Sequence, residues 1–110
     1  KNCIVKKVSN QEIAINGYEV YLEAFNSYKT DIKPINQDDF YKNMINANSY
    51  DYFAVYENGG GKMIAYSNNL IQDNMVNYTT IKFHPDYLKL YPSYALFYKM
   101  NEYYLNEKKV

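Results

Sequence analysis

Residues 53–69 read FAVYENGGGKMIAYSNN. An apolar and aromatic run meets Asn58-Gly59-Gly60-Gly61, and a second such run follows. Asn and Gly enter positive φ at little cost, so the junction reads as a tight turn between antiparallel strands. The glycines are not a phosphate loop, because the GK[ST] context and a following helix are missing. Residues 52–57 then form one strand and 62–70 its return. Gln72-Asp73-Asn74 turns the chain again, and 75–83 makes a third strand. An antiparallel meander over 52–83 is the frame on which the rest is hung.

Upstream, Ile4, Val5 and Val8 mark a short first strand. Ser9 followed by Glu12 is a capping box, so a helix starts here. Ile13, Gly17, Val20, Tyr21, Ala24, Phe25 and Tyr28 recur at helical spacing. Gly17 weakens the middle, so this helix is bent or begins late. Residues 30–34 connect it to a shorter helix capped by Asn36, with Asp38 and Asp39 in the first turn. Phe40, Tyr41, Met44 and Ile45 are expected on one side of it. Downstream, His84-Pro85-Asp86 breaks the third strand. Pro92 sits at the first position of a last helix, where its missing N–H costs nothing. That helix carries Leu96, Phe97, Met100, Tyr103 and Tyr104. The order is β-α-α-β-β-β-α, an α+β fold, and residues 1–110 read as one domain.

Composition narrows the function. The 110 residues are enough for one domain. Formal net charge is zero, and all 12 basic residues are Lys. That speaks against nucleic-acid binding, which calls for a basic face. No apolar run nears the roughly 20 residues of a membrane span, and no signal-peptide pattern opens the chain. Cys3 stands alone and cannot form an intramolecular disulfide; it reads as a buried thiol in a strand, compatible with the cytoplasm.

FAVYENGGGKMIAYSNN resembles the hairpin of GNAT-type N-acyltransferases, in which a hydrophobic strand, a turn and a G-x-hydrophobic strand follow one another. PDYLKLYPSYALF, residues 85–97, resembles the family's PEYRGKGIGSALL-like segment between the fourth strand and the third helix, and Asp86, Tyr87, Ala95 and Leu96 keep their places. The resemblance implies the N-terminal part of that fold. It also implies an acyl or aminoacyl group moved to a small-molecule or peptide amine, with acetyl-CoA or another acyl-CoA as donor. In the family, Arg/Gln-x-x-Gly-x-Gly/Ala presents bare amides at a helix N-terminus to the coenzyme A pyrophosphate. Here Leu88 holds the Arg/Gln position, Tyr91 the first Gly and Ser93 the second, with Pro92 between them. Tyr brings a Cβ and a ring where backbone would approach phosphate, Pro92 offers no N–H, and Lys89 supplies charge without that geometry.

The resemblance places cofactor contacts on Ile81 and Phe83 of the third meander strand and on Leu88, Lys89, Tyr91, Ser93 and Tyr94. Within residues 77–83 the family's backbone amides polarise the thioester carbonyl. The family's general-base Glu has no counterpart; Asp73 lies in a turn and Glu57 at a strand end. The missing glycines favour a branch resembling FemABX-type aminoacyltransferases, although the neutral charge speaks against an aminoacyl-tRNA donor. Family members run on past this helix, so a chain opening on Lys1 and stopping at Val110 reads as a fragment, with a reduced version of the fold as the alternative.

Other candidates have plainer readings. His84, the one histidine, reads as a surface or capping residue, and no second ligand is spaced to make a metal site with it. Ser93 and Asp86 lie near it in sequence, which is weak support for a Ser-His-Asp set. The aromatic stripe of the last helix reads as core, with Tyr87, Tyr91 and Tyr94 left as stacking candidates. The alternative to an enzyme is a non-catalytic module that binds a partner in an aromatic cleft, or forms a homodimer through an open sheet edge.

Overall fold

The computed structural model describes residues 3–27, 32–59 and 61–107. Strand β1 (Cys3–Val8) leads into helices α1 (Asn10–Asn16), α2 (Tyr18–Asn26) and α3 (Gln37–Asn46). Strands β2 (Tyr50–Glu57), β3 (Met63–Gln72) and β4 (Met75–Phe83) follow, then a 3-10 helix (Pro85–Leu90) and helix α4 (Pro92–Glu107). The sheet order is β1-β2-β3-β4, and every pairing is antiparallel. The expected α+β order holds, with the first helix divided in two. Tyr28, Thr30 and Gly60 lie outside the described residues.

Gly17 makes that division. Its amide donates to the Ile13 carbonyl at 2.7 Å. A Cβ at Gly17 would stand 2.6 Å from that oxygen, so the two helices meet where a side chain cannot fit. Ser9 Oγ accepts from the Glu12 amide at 3.2 Å, one half of the capping box. The Glu12 carboxylate instead accepts the Tyr56 hydroxyl at 2.5 Å; burial, aided by this carboxylate, pushes the Tyr56 phenol well above its usual range. Asn36 caps α3 as expected, accepting from the Asp39 amide at 2.8 Å.

The sheet is covered on both faces. On one, Ile13, Ala14, Val20, Phe40 and Met44 pack on Tyr52, Ala54, Met63 and Tyr66. Tyr18 and Tyr21 set their rings 5.4 and 5.3 Å from Phe40, and both hydroxyls bond the backbone of Ile35. Tyr41 departs from expectation: one residue on from Phe40 it points about 100° away and is exposed. On the other face, Leu96, Met100 and Tyr104 of α4 pack on Phe53, Val55, Ile64 and Ala65. Covering both faces makes Tyr52–Val55 a continuous buried run instead of an alternating one.

Two further details correct the sequence reading. Gln72 belongs to β3, and the β3–β4 turn is Asp73-Asn74 alone, both at positive φ (50° and 66°). The stretch after His84, read from sequence only as a break in the strand, is a 3-10 helix. Beneath α4 lies a polar chain: Ser67 Oγ bonds Asn69, Asn69 Nδ2 donates to Tyr104 Oη at 3.1 Å, and the Tyr104 hydroxyl donates to Asp51 at 3.0 Å. Such a chain stabilises a core only if its members are satisfied, which these partners achieve.

Candidate functional site

The site begins where β4 ends. His84 is buried, at 3% exposure, although the sequence had also allowed it a surface place. The backbone of His84 donates to the Ile64 carbonyl at 2.9 Å, which anchors it to β3. Its Nδ1 accepts from the Asp86 amide at 3.2 Å and so caps the 3-10 helix. Its Nε2 lies 3.2 Å from Glu19 Oε2 on α2. Glu19 also meets Lys62 Nζ at 2.6 Å, and Lys62 sits 5.5 Å over the Tyr87 ring. The Lys62 ammonium, aided by His84, holds the Glu19 carboxyl below its usual range, and Glu19 in turn holds Lys62 above its own.

The 3-10 helix stops at Tyr91, whose φ of 55° and ψ of 49° are left-handed. Its amide donates to the Leu88 carbonyl at 3.0 Å, and its carbonyl accepts from Ala95 at 3.4 Å. Pro92 is fully buried at the first position of α4. Ser93 and Tyr94 follow in the first turn, where a helix provides no carbonyl for their amides. Lys89 is exposed beside them.

The predicted contacts therefore separate. Leu88, Lys89, Tyr91, Ser93 and Tyr94 gather around the start of α4, all exposed. Ile81 and Phe83 are half-buried on β4, opposite Ser67 and Ala65, and pack into the core under α4. The aromatic stripe of α4 splits too. Leu96, Met100 and Tyr104 are buried, whereas Phe97, Tyr98, Tyr94 and Tyr91 face solvent. Tyr91, Tyr94 and Tyr98 line a groove of about 750 Å³ between α4 and β1, floored by Cys3, Val5, Leu90 and Ala95, with Lys99 at its rim. The Cys3 thiol donates to the Leu90 carbonyl at 3.3 Å, and burial raises its pKa. A second groove of about 420 Å³ runs along Ser93, Tyr94, Phe97, Tyr98 and Asn101.

Midway along β4 the ladder slips. Asn68 pairs with Thr80 and Asn69 with Tyr78, so Thr79 is an extra residue in the strand. A bulge of this kind re-aims the main chain and is common beside functional sites. Among the described residues, β4 pairs with β3 alone, and its other edge is open. Asp73 lies at the far end of β4, in the β3–β4 turn. Among the described residues, no cluster of three or more His, Cys, Asp or Glu side chains could hold a metal ion. Nor is any described helix long and apolar enough to cross a membrane.

Sequence reasoning missed Glu19 and Lys62, which lie 65 and 22 residues from His84 and reach it only through the fold. It missed Cys3, Val5, Tyr98 and Lys99 as groove residues as well. The capping half of the His84 reading was available locally, since His-Pro-Asp places an acceptor two residues before a free amide.

No protein-family model matches the chain, and no curated protein matches it. Solved structures do. The ribosomal-protein-S18-alanine N-acetyltransferase from Escherichia coli superposes with a TM-score of 0.70 at 17% identity, over 96% of this chain and 61% of that one. A GNAT family acetyltransferase from Staphylococcus aureus gives 0.69 at 13% identity, over 96% and 80%. An aminoglycoside acetyltransferase from an uncultured soil metagenomic sample, in complex with trehalose, gives 0.67 at 10%, over 96% and 72%. The chain thus spans about three fifths of the length of the Escherichia coli enzyme. At these identities the likeness speaks for architecture, and the architecture is plain: this chain has the GNAT-type acetyltransferase fold.

Proposed function

We propose that the chain is an acyltransferase-related domain that engages an acyl-CoA weakly and serves transfer of an acyl or aminoacyl group to an amine. The observation that carries this reading is the backbone of Tyr91. At the place of the family's first glycine, a tyrosine keeps the left-handed conformation that glycine takes most cheaply. The turn takes a glycine-like shape without a glycine.

The residues present fit a diphosphate in part. Ser93 and Tyr94 contribute first-turn amides, α4 contributes its dipole, and Lys89 adds a charge. Pro92 contributes no donor, and the Tyr91 amide is already committed to Leu88. Tyr91 and Tyr94 line the groove towards β1, so their rings flank the helix start. An acyl-CoA, when bound, supplies the activated thioester. The chain's own contribution is the displaced main chain at Thr79 and the open edge of β4, which can orient a carbonyl.

Calorimetric titration of coenzyme A and acetyl-CoA into the protein tests the reading. The expected Kd is on the order of 0.1 mM or weaker. Restoring glycine and an amide, with Tyr91→Gly and Pro92→Ala together, should tighten it about tenfold, or ~1.4 kcal/mol. Micromolar binding by the native chain would contradict the weak hold, and no binding at millimolar concentrations would end the acyl-CoA reading.

The second reading, a binding module, is favoured by the open β4 edge. Such an edge adds strands readily, and a homodimer is its simplest product. Light scattering on a sizing column decides it: a concentration-independent monomer removes the dimer.

A further inference from the structure

From the packing around His84, we infer that Glu19 is a positioning residue. Acting through His84, it fixes the turn 84–91 that presents the start of α4 to a bound anion. The inference rests on the acyl-CoA reading for its consequence and on geometry alone for its mechanism.

The hydrogen bonds determine the proton positions. The Asp86 amide donates to His84 Nδ1, so that nitrogen carries a lone pair and no proton. In a neutral imidazole the proton must then sit on Nε2, where it donates to Glu19 Oε2. The ring is held at both ends: one end by the Asp86 amide of the 3-10 helix, the other by Glu19 of α2. The ring itself is buried, whereas the Glu19 carboxylate at its Nε2 end is half-exposed.

Among the described residues, the charged and titratable groups around this ring form one assembly. Glu19 comes from α2, Lys62 from the residues just before β3, and Asp86 and Tyr87 from the 3-10 helix. Tyr87 packs edge-on to the imidazole at 5.0 Å and lies beneath Lys62, so the turn is gripped from three elements. If Glu19 is removed, the Nε2 proton loses its acceptor. The opposite tautomer then becomes accessible, and that tautomer sets an N–H donor against the Asp86 amide. The cap of the 3-10 helix loosens, and with it the left-handed Tyr91 that closes that helix.

The test uses the chain's single histidine, which gives one set of imidazole nitrogen resonances. Wild type, Glu19→Ala and Glu19→Gln are compared by imidazole 15N shifts, by amide hydrogen exchange at Asp86 and Tyr87, and by coenzyme A titration. Glu19 is half-exposed, so neither change threatens the core. Wild type should show the Nε2-protonated tautomer. Glu19→Ala should mix tautomers, speed exchange at Asp86 and Tyr87 at least tenfold with β3 amides unchanged, and weaken coenzyme A about tenfold. Glu19→Gln keeps an oxygen acceptor for Nε2 and should restore all three readouts to within a factor of about three. Unchanged imidazole shifts and exchange in Glu19→Ala overturn the inference, whatever coenzyme A does. A loosened turn with unchanged coenzyme A affinity overturns the positioning role. If wild type shows these signatures yet binds no coenzyme A, the acyl-CoA reading fails, and the positioning of its cofactor fails with it, while the hydrogen-bond geometry stands.

Discussion

Two turns of this chain hold left-handed residues for opposite reasons. In the β3–β4 turn, Asp73 and Asn74 stand at φ 50° and 66°, residue types that tolerate this region because a short polar side chain bonds locally. At the start of α4, Tyr91 stands at φ 55°. A tyrosine gains nothing locally from that conformation, which costs a residue of its kind roughly 1–2 kcal/mol. The first turn is chosen by its own sequence. The second is imposed by what flanks it: a 3-10 helix capped by His84 on one side and a helix docked on the sheet through Leu96, Met100 and Tyr104 on the other. Strain imposed from outside is commonest where a backbone must present itself to something, which is why the second turn marks the candidate site.

The sharpest way to break this contrast is to weaken the element that imposes the strain. Leu96 is fully buried where α4 meets the sheet. Leu96→Ala should destabilise the chain by about 2–5 kcal/mol, read from urea unfolding. If the docking of α4 holds Tyr91, amide exchange at Tyr91 should rise well beyond that at Asp73. Equal effects at both turns would mean that Tyr91 is held locally after all.

Glycines sharpen it next. Gly17 has an ordinary φ of −91°, but a Cβ there would lie 2.6 Å from a backbone oxygen. Gly59 has φ 95° and nothing within 4 Å of such a Cβ. Gly17→Ala should cost about 1–3 kcal/mol through forced separation of α1 and α2. Gly59→Ala should cost about 1 kcal/mol through conformation alone. Thermal unfolding of the pair tests the ranking, and a reversal would show that contact matters less here than φ.

The same contrast explains what could be read beforehand. The meander was legible because each of its signals is local: Asn58-Gly59, Asp73-Asn74 and the apolar runs between them. The caps at Ser9 and Asn36 were legible for the same reason, as was Pro92 at the start of α4. The division at Gly17 was half legible: glycine announces weakness, but the close approach of the Ile13 oxygen is a product of packing. The 3-10 helix was hidden because Glu19, which holds its histidine cap in place, comes from 65 residues away. The split of the α4 aromatics was hidden because Phe97 and Tyr98 have the same chemistry as Tyr104, and only the position of the sheet decides which rings are covered.

Tyr91→Gly carries a smaller effect of mixed sign. It relieves roughly 1–2 kcal/mol of strain and gives back about 0.5–1 kcal/mol in unfolded-chain freedom. The chain should become more stable by about 0–1.5 kcal/mol, whereas Asn74→Gly in the other turn should change almost nothing. Chemical denaturation of the two variants checks this. A destabilised Tyr91→Gly would mean that the ring contributes packing in the groove towards β1 that exceeds the strain.

The smallest effect is a pH dependence, and its sign follows from the pair beside His84. Glu19 has its pKa lowered chiefly by Lys62, so its contribution to the fold is present above the ordinary carboxylate value of 4.5 and is lost as pH falls through the lowered value. Lys62 has its pKa raised by Glu19, so its contribution is present below 10.5 and is lost only as pH climbs through the raised value. Between those limits the pair is flat. Both side chains are substantially exposed, which keeps the change in global stability small. The local change need not be small. Acidification below the ordinary carboxylate range should lower the protection of the Asp86 amide, relative to its intrinsic exchange rate, before that of Asn74, because only the turn after His84 is tied to a titrating ion pair on other elements. The two amides, followed from neutral pH downward at constant ionic strength, distinguish a turn held from outside from a turn that holds itself; parallel curves would erase the distinction.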